Sequence, residues 1–435
     1  MTQLTESLWG DECFSAIAVQ KPFGEMMNVV MKDTAPPLFY ILGTLWGRIF
    51  GFWEISLRTL SFLLVFGAAF FSALIIYHLQ KSKKLAVLVG LLSLTIPFLE
   101  PFAFEWRMYA LLTFTIMGSA YFFLKRSWTL YILFTAAALY THHFALFTLL
   151  SQGVWFLISE FNWKKPKTYL SQLKPFLIVG ALYLPWLYPM YRQIKMVQSG
   201  GFWLEAPTLK ELADLMSKFF TGGVEKSLRL PVAVTAGILL LFKDWKRVSK
   251  SFLELLFVFV GPMLLSFIVS YLVTPVFYDR YLLATTVGFT ILIGLGTKKY
   301  FQVLLLALVI LYGIISFNQF THPQKAPFRN LAESVKSQLE EGDFLINHNG
   351  RAHHLWESKY YGIPAPIYNP GEPLPFYVGT AQMSDDDTIR VLPDVKRIGV
   401  ISDLGEDVNL PGYHKTTSKK FDNLEFSWWG KNQAN

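Results

Sequence analysis

A chain of 435 residues that is 53% hydrophobic, 17% aromatic and only 16% charged is not an ordinary soluble protein, which carries about 25% charged residues. Its single cysteine, Cys13, excludes an internal disulfide framework, and with no histidine nearby in sequence it reads as a small packing residue. The net charge of +8 does not indicate nucleic acid, because Lys and Arg fall in short clusters between apolar runs, as in the cytoplasmic loops of membrane proteins.

The chain opens on an acidic and aromatic stretch between Trp9 and Ser61. Asp11 and Glu12 are adjacent acids beside an expected wall of lipid, where a carboxylate is costly unless it is used; the plainer reading is a solvated loop. Asp33-x-x-Pro36-Pro37-Leu38-x-Tyr40 reads as a turn. The segment after it, up to Phe52, is apolar and aromatic and suits a helix lying in the membrane interface.

Apolar run lengths then predict about ten membrane helices: Ser56–Leu79, Leu85–Leu99, Arg107–Leu124, Trp128–Tyr140, Phe144–Ser159, Pro175–Met190, Leu230–Phe242, Phe252–Val273, Tyr281–Gly296 and Tyr300–Phe317. The clusters Lys81/Lys83/Lys84, Lys125/Arg126, Lys164/Lys165/Lys167/Lys174, Lys243/Lys246/Arg247/Lys250 and Lys298/Lys299 occupy every second loop. Those loops are expected to be cytoplasmic, with the alternate loops and both termini on the far side. In the large far-side loop, Thr208 to Phe220 is apolar on one side only and predicts a second interfacial helix.

After residue 320 the composition turns polar, so three regions are expected: 1–55, an external loop; 56–320, the membrane body; and 321–435, a small external α/β domain. In the last, Phe328–Leu339 has helical periodicity, while Asp343–Asn347, Arg397–Ser402 and Phe426–Trp429 read as strands. There are no dinucleotide-binding glycines, no phosphate-binding loop and no zinc spacing. His348, His353 and His354 lack a fourth ligand at fixed spacing and read as surface or packing residues.

Several far-side groups could carry chemistry. Glu105, Arg107 and Tyr109 stand at the mouth of one helix, His142 and His143 interrupt an apolar stretch, Arg280 and Tyr281 open a late helix, and Arg58 opens an early one. Arginine suits a phosphate because it stays charged and offers a fork of donors. The structural alternatives are an Arg107 that snorkels to the interface, histidines facing interfacial water, and an Asp279 that pairs with Arg280.

The order Asp-Glu, Pro-Pro-Leu-x-Tyr, Leu-Arg-x-x-Ser, Glu-x-Arg-x-Tyr, Tyr-Thr-His and Arg-Tyr-Leu, followed by an α/β domain, resembles the integral-membrane glycosyltransferases of GT-C fold. These are the protein mannosyltransferase, aminoarabinose transferase and bacterial RgtA/B/C/D-like families, glycosyltransferase family 39-like. Ala35 departs from the His that many relatives carry before Pro-Pro. The resemblance implies a polytopic α-helical membrane protein with an extracytoplasmic C-terminal α/β domain, in the cell membrane. It also implies an inverting transfer of a single sugar, mannose or another hexose or pentose, from a polyprenyl-phosphate donor to a protein, lipid or cell-envelope glycan. Asp11 is then the base, with Glu12 orienting it, and Glu105, matching the acidic residue the families carry in the second external loop, is the third catalytic acid. Arg280, Arg107 and Arg58 meet the donor phosphate, and Tyr109, His142, His143 and Tyr281 meet substrate. The resemblance fixes no cofactor: a divalent metal between Asp11 and Glu105, as in some relatives of the fold, is left open, while single-sugar lipid donors often need none. The families have a membrane helix immediately before the Asp-Glu pair, so a further helix upstream of Met1 is expected. The rivals are a lipid or glycan transporter or flippase, which would need mid-membrane charges and a repeat, and a non-catalytic subunit that keeps the fold.

Overall fold

The computed structural model describes residues 2–199, 204–349, 353–371 and 373–432. Three short helices come first: α1 (Gly10–Gln20), α2 (Phe23–Lys32) and α3 (Leu38–Phe50). Pro22 breaks α1 from α2, since the residue before a proline is pushed out of helical conformation, and Lys21 is extended at φ −69°, ψ 159°. Pro36 and Pro37 likewise end the turn that follows α2 and start α3. Helix α3 is the expected one-sided helix. It buries Phe39, Tyr40, Gly43 and Gly47 and exposes Leu45, Ile49 and Phe50.

The body comprises α4 (Glu54–Gln80), α5 (Lys83–Leu94), α6 (Glu100–Ala103), α7 (Tyr109–Leu124), α8 (Trp128–Leu139), α9 (Ala145–Ser159), α10 (Tyr169–Ser199), α11 (Leu209–Phe220), α12 (Lys226–Leu241), α13 (Trp245–Phe259), α14 (Gly261–Leu272), α15 (Leu283–Gly294) and α16 (Gln302–Thr321). Among the described residues, four helical stretches are long and apolar enough to cross a membrane: Glu54–Gln80, Pro166–Gln198, Trp245–Leu272 and Lys299–Thr321. Each expected membrane helix has a counterpart, with two changes. Helix α10 runs well past both expected ends despite Pro175, Pro185 and Pro189, because prolines are tolerated where neighbouring helices and side chains take up the freed backbone groups. The helix expected over Phe252–Val273 starts earlier and is interrupted at Val260, where Pro262 follows.

Inside the bundle, paired hydroxyls tie helices together where no water competes: Ser93 with Thr290 at 2.7 Å and Ser119 with Thr135 at 2.8 Å. The basic loops gather at one end. There Arg126 pairs with Glu160 and Glu254, Arg247 donates to the Gln80 carbonyl, and Lys243 donates to the carbonyls of Ile293 and Leu295 at the end of α15. At the other end Phe98 N–H donates to the Gly222 carbonyl, Leu38 N–H to Tyr140, and Gln3 N–H to Phe320. The two-ended arrangement read from the lysine clusters is therefore present in the packing.

The C-terminal region holds α17 (Phe328–Lys336), α18 (Leu355–Tyr360) and six strands: β1 (Phe344–Asn347), β2 (Ile367–Tyr368), β3 (Thr388–Ile389), β4 (Arg397–Asp403), β5 (Tyr413–Phe421) and β6 (Leu424–Lys431). The sheet order is β3-β2-β1-β4-β6-β5. The first four strands are parallel, and β4, β6 and β5 form an antiparallel edge. One face packs Phe328, Leu331 and Val335 of α17 against Leu345, Ile401 and Phe426, and the other buries Ile346, Ile398, Val400 and Trp429. The sequence accounts for α17 and for the three strands β1, β4 and β6; β2, β3, β5 and α18 are additional.

Candidate active site

The site begins with a buried ion pair. Arg58, at the start of α4, is fully buried and points its guanidinium at Glu12 in the first turn of α1, with Nη2 at 2.7 Å and Nε at 3.0 Å. It also donates to the carbonyls of Gln3, Glu6 and Ser7, so each of its nitrogens is engaged. Glu12 accepts in addition from Trp106 N–H at 2.7 Å, Trp9 N–H at 3.3 Å and Lys325 Nζ at 3.0 Å. Burial works against ionisation here, but Lys325 and Arg58 outweigh it and hold the Glu12 carboxyl at about 2. Such a pair is rigid because losing either member strands a buried charge. It fixes the start of α1 against α4, the α6–α7 loop and the C-terminal region at once.

One residue earlier, Asp11 faces the opposite way. Successive helix residues lie about 100° apart, so while Glu12 enters the core, Asp11 keeps a half-exposed side chain in a cavity of about 430 Å³. That volume falls in the range of small-molecule sites. Arg107 lies across from it: Nη2 is 3.6 Å from Asp11 Oδ2, while Nη1 donates to the Asp11 carbonyl at 3.2 Å and to Ser15 Oγ at 3.0 Å. Arg280 contributes a second cation to the wall. It donates to Tyr278 Oη at 2.8 Å and lies over the Tyr278 and Tyr109 rings at 4.7 and 5.6 Å. Asp279 does not neutralise it, being paired with Lys218 at 2.8 Å. Arg280 has no carboxylate ion pair among the described residues. Tyr109 and Tyr281 complete this side.

The roof comes from the C-terminal region: His353, His354, Trp356, Glu357, the segment 376–379 and Asp403. Gly379, at φ +88°, takes a left-handed turn where a Cβ would run into the Trp356 ring. His354 is gripped from both sides, Nδ1 by Glu357 at 3.3 Å and Nε2 by Asp403 at 3.2 Å. Burial opposes its charge, yet these two carboxylates raise it to about 9.

This architecture has a solved counterpart. The fold resembles that of ArnT. Two crystal structures of ArnT from Cupriavidus metallidurans, one bound to undecaprenyl phosphate and one in the apo state, match with TM-scores of 0.60 and 0.53. Both are 12% identical in sequence, and the match covers 98% of this chain and 95% of that chain. No protein-family model and no curated protein sequence matches the chain. The ArnT-like fold is the GT-C type expected from the sequence, a polytopic helical membrane body with a small mixed-sheet C-terminal domain.

Of the residues singled out from sequence, the ArnT-like fold brings Asp11, Arg107, Tyr109, Arg280 and Tyr281 to one cavity. Glu12 and Arg58 are behind it: expected to orient the base and to meet the donor phosphate, they are instead consumed by each other, for the geometric reasons above. Glu105 does not line the cavity either. Burial pushes its carboxyl up to about 7, with Lys325 pulling the other way, and its Oε1 has no hydrogen-bond partner among the described residues. His142 lies beneath the wall, its ring 4.6 Å from that of Tyr281, and His143 bridges Tyr183 Oη at 3.0 Å and Gln193 Oε1 at 2.8 Å. Burial holds the two imidazoles down to about 3 and 4, so neither offers a cation at neutral pH. They brace the wall from the protein side.

Sequence reasoning passed over Asp33, which lines the cavity and accepts from Tyr40 Oη at 3.3 Å. Burial raises its carboxyl, against the pull of Arg107. Its signal is present in the sequence, since it heads the Pro-Pro motif, whose spacing by itself indicates only a turn. Asp403 directly follows the expected strand Arg397–Ser402; the parallel pairing that makes this end of the strand a place for ligands is visible only in the structure. Among the described residues no three His, Cys, Asp or Glu side chains converge enough to hold a metal ion. The neighbour of Asp11 is an arginine, not Glu105. These residues do not fit the divalent ion that the resemblance left open.

Proposed function

We propose that this chain is a glycosyltransferase that moves one sugar from a polyprenyl-phosphate donor to an acceptor hydroxyl at the extracytoplasmic face of the cell membrane. The observation that carries the reading is a half-exposed carboxylate, Asp11, facing two arginines in one cavity, in a fold like that of a protein solved with undecaprenyl phosphate. On this reading residues 1–55 form the catalytic loop, 56–320 the membrane body and 321–435 the domain that roofs the site. The lysine-rich end of the body faces the cytoplasm.

Asp11 accepts the acceptor's proton as the acceptor oxygen attacks the anomeric carbon. The bond from that carbon to the donor phosphate oxygen breaks, the configuration inverts, and the polyprenyl phosphate leaves with the bonding electrons. Arg280 and Arg107 stabilise the charge that accumulates on the phosphate, and the cations are worth most where water is excluded. Arg107 has a second task, holding Asp11 in place from its side chain and its carbonyl. Tyr109 and Tyr281 position Arg280 and shape the donor pocket.

Purified full-length protein should bind undecaprenyl phosphate, and Arg280→Ala should weaken that binding at least about tenfold. Asp11→Asn should bind it normally while transfer of labelled sugar from the lipid donor falls by about 10²–10⁴. Transfer that persists in Asp11→Asn would remove the base from the mechanism.

A further inference from the structure

The transferase reading names a donor side but no acceptor side. We propose that the carboxyl ends of β1 and β4 form the acceptor subsite, and that the acceptor is an uncharged saccharide hydroxyl. The proposal rests on the transferase reading above.

Topology is the first argument. From β1 the chain passes to β2 on one side, whereas from β4 it passes to the β5–β6 hairpin on the other. Between two neighbouring parallel strands whose connections leave in opposite directions, a crevice opens at their carboxyl ends, and open α/β sheets bind ligands there. Here those ends are Asn347 and Asp403. The crevice faces the membrane body, so that Asp403, His354 and Glu357 line the same cavity as Asp11.

The second argument is an unused group. Glu357 is 6% exposed, and while Oε1 meets His354, Oε2 is buried with no hydrogen-bond partner among the described residues. It packs on Gly10, directly before Asp11: a Cβ at that position would lie 3.5 Å from Glu357 Oε2. A buried carboxylate oxygen left without a donor beside the catalytic base is a place for a ligand hydroxyl. His353 is not available, since its Nδ1 accepts from Leu355 N–H and its Nε2 donates to the Val378 carbonyl.

Charge separation gives the ligand class. The arginines lie on the wall built by the body, while the roof presents two carboxylates to one imidazole, with Phe376 and Tyr377 beside them. A phosphorylated acceptor would meet a roof that stays net negative, two carboxylates against the one His354 imidazole, with the Asp11 carboxylate beside it. A sugar would donate its hydroxyls to them and lay its apolar face on the rings.

The test compares envelope glycans, by mass spectrometry with linkage analysis, from cells producing the wild-type chain, Asp403→Asn or Glu357→Gln, and from cells lacking it. Binding of undecaprenyl phosphate to each purified full-length protein is the second measurement. The expected result is a wild-type product with the added sugar on a saccharide hydroxyl, reduced at least about tenfold in both variants, while undecaprenyl phosphate binding stays within twofold. A sugar found on phosphate or on a protein side chain would overturn the acceptor class. Variants that match wild type, or that lose undecaprenyl phosphate binding in parallel, would overturn the subsite. A wild-type chain that binds undecaprenyl phosphate but adds no sugar to any envelope component would instead sink the transferase reading itself.

Discussion

Two neighbouring carboxylates have opposite employment, and the helical turn between them decides which does what. Glu12 is ionised, buried and bound to Arg58 and Lys325, so Glu12→Gln should leave a buried guanidinium without its counter-charge. The expected cost is about 3–5 kcal/mol, read as a drop in unfolding midpoint in detergent. An ordinary midpoint for Glu12→Gln would contradict the buried pair. The sequence presents Asp-Glu as one motif because adjacency is visible and helical phase toward a distant partner is not. For the same reason Arg58 looked like a phosphate ligand: nothing in Leu-Arg-x-x-Ser says that the carbonyls of residues 3, 6 and 7 surround it.

Glu105 and Glu100 make the same point through pH. Burial pushes Glu105 up to about 7 and Glu100 to about 8, so between their ordinary value near 4.5 and those values the folded chain holds protons that the unfolded chain releases. Folding stability should therefore fall as pH rises from 4.5 to 8. Glu105→Gln should remove the lower part of that slope, on the order of 2–4 kcal/mol, in thermal denaturation across the range. A slope unchanged in that variant would mean Glu105 is solvated.

At the scale of elements, periodicity was legible wherever one face was buried. The membrane helices are legible from the length of their apolar runs, α3 from its apolar and aromatic composition and α11 from its one-sided apolar spacing, and α11 carries the Thr208/Glu211 capping pair that starts it. Strand β5 was not legible, since YHKTTSKKF is an edge strand exposed along most of its length and so has no alternation to detect. His354 shows what an element junction adds, for it ties the start of α18 to the end of β4. Its folded value is raised from 6.5 to about 9, so its contribution is complete below pH 6.5 and is lost as pH rises through 9. Asp403 is open to water, with 45% of its side chain exposed, so the loss should be on the order of 1–2 kcal/mol. His354→Gln should flatten the alkaline limb between pH 6.5 and 9, and a limb that stays steep would assign it to other groups.

On the scale of the whole molecule, the cavity draws on residues separated by almost the full length of the chain, from Asp11 to Asp403. No periodicity reports such a meeting; only the order of motifs, through resemblance, brought part of it together. Two cations following α16 close the assembly. Lys325 reaches Glu12 at 3.0 Å and Glu6 at 3.8 Å, while Arg329 reaches Glu54 at 2.6 Å and bonds Ser7 Oγ through its backbone. By distance alone Arg329 is the stronger clasp. Burial reverses the order: Glu12 is inaccessible and Lys325 is 20% exposed, whereas Arg329 is 32% exposed and its pair is closer to a screened surface bridge. Lys325→Met should cost about 1.5–3 kcal/mol, the range for a hydrogen bond to a buried charge, and Arg329→Met about 1 kcal/mol or less. Unfolding midpoints of the two variants give the comparison directly, and a larger loss in Arg329→Met would show that contact length, not desolvation, governs the joint. Because Lys325 acts on Asp11 only through Glu12 and the first turn of α1, its loss should also lower the rate of sugar transfer while leaving undecaprenyl phosphate binding in place. Restoring the charge with Lys325→Arg should recover that rate in part.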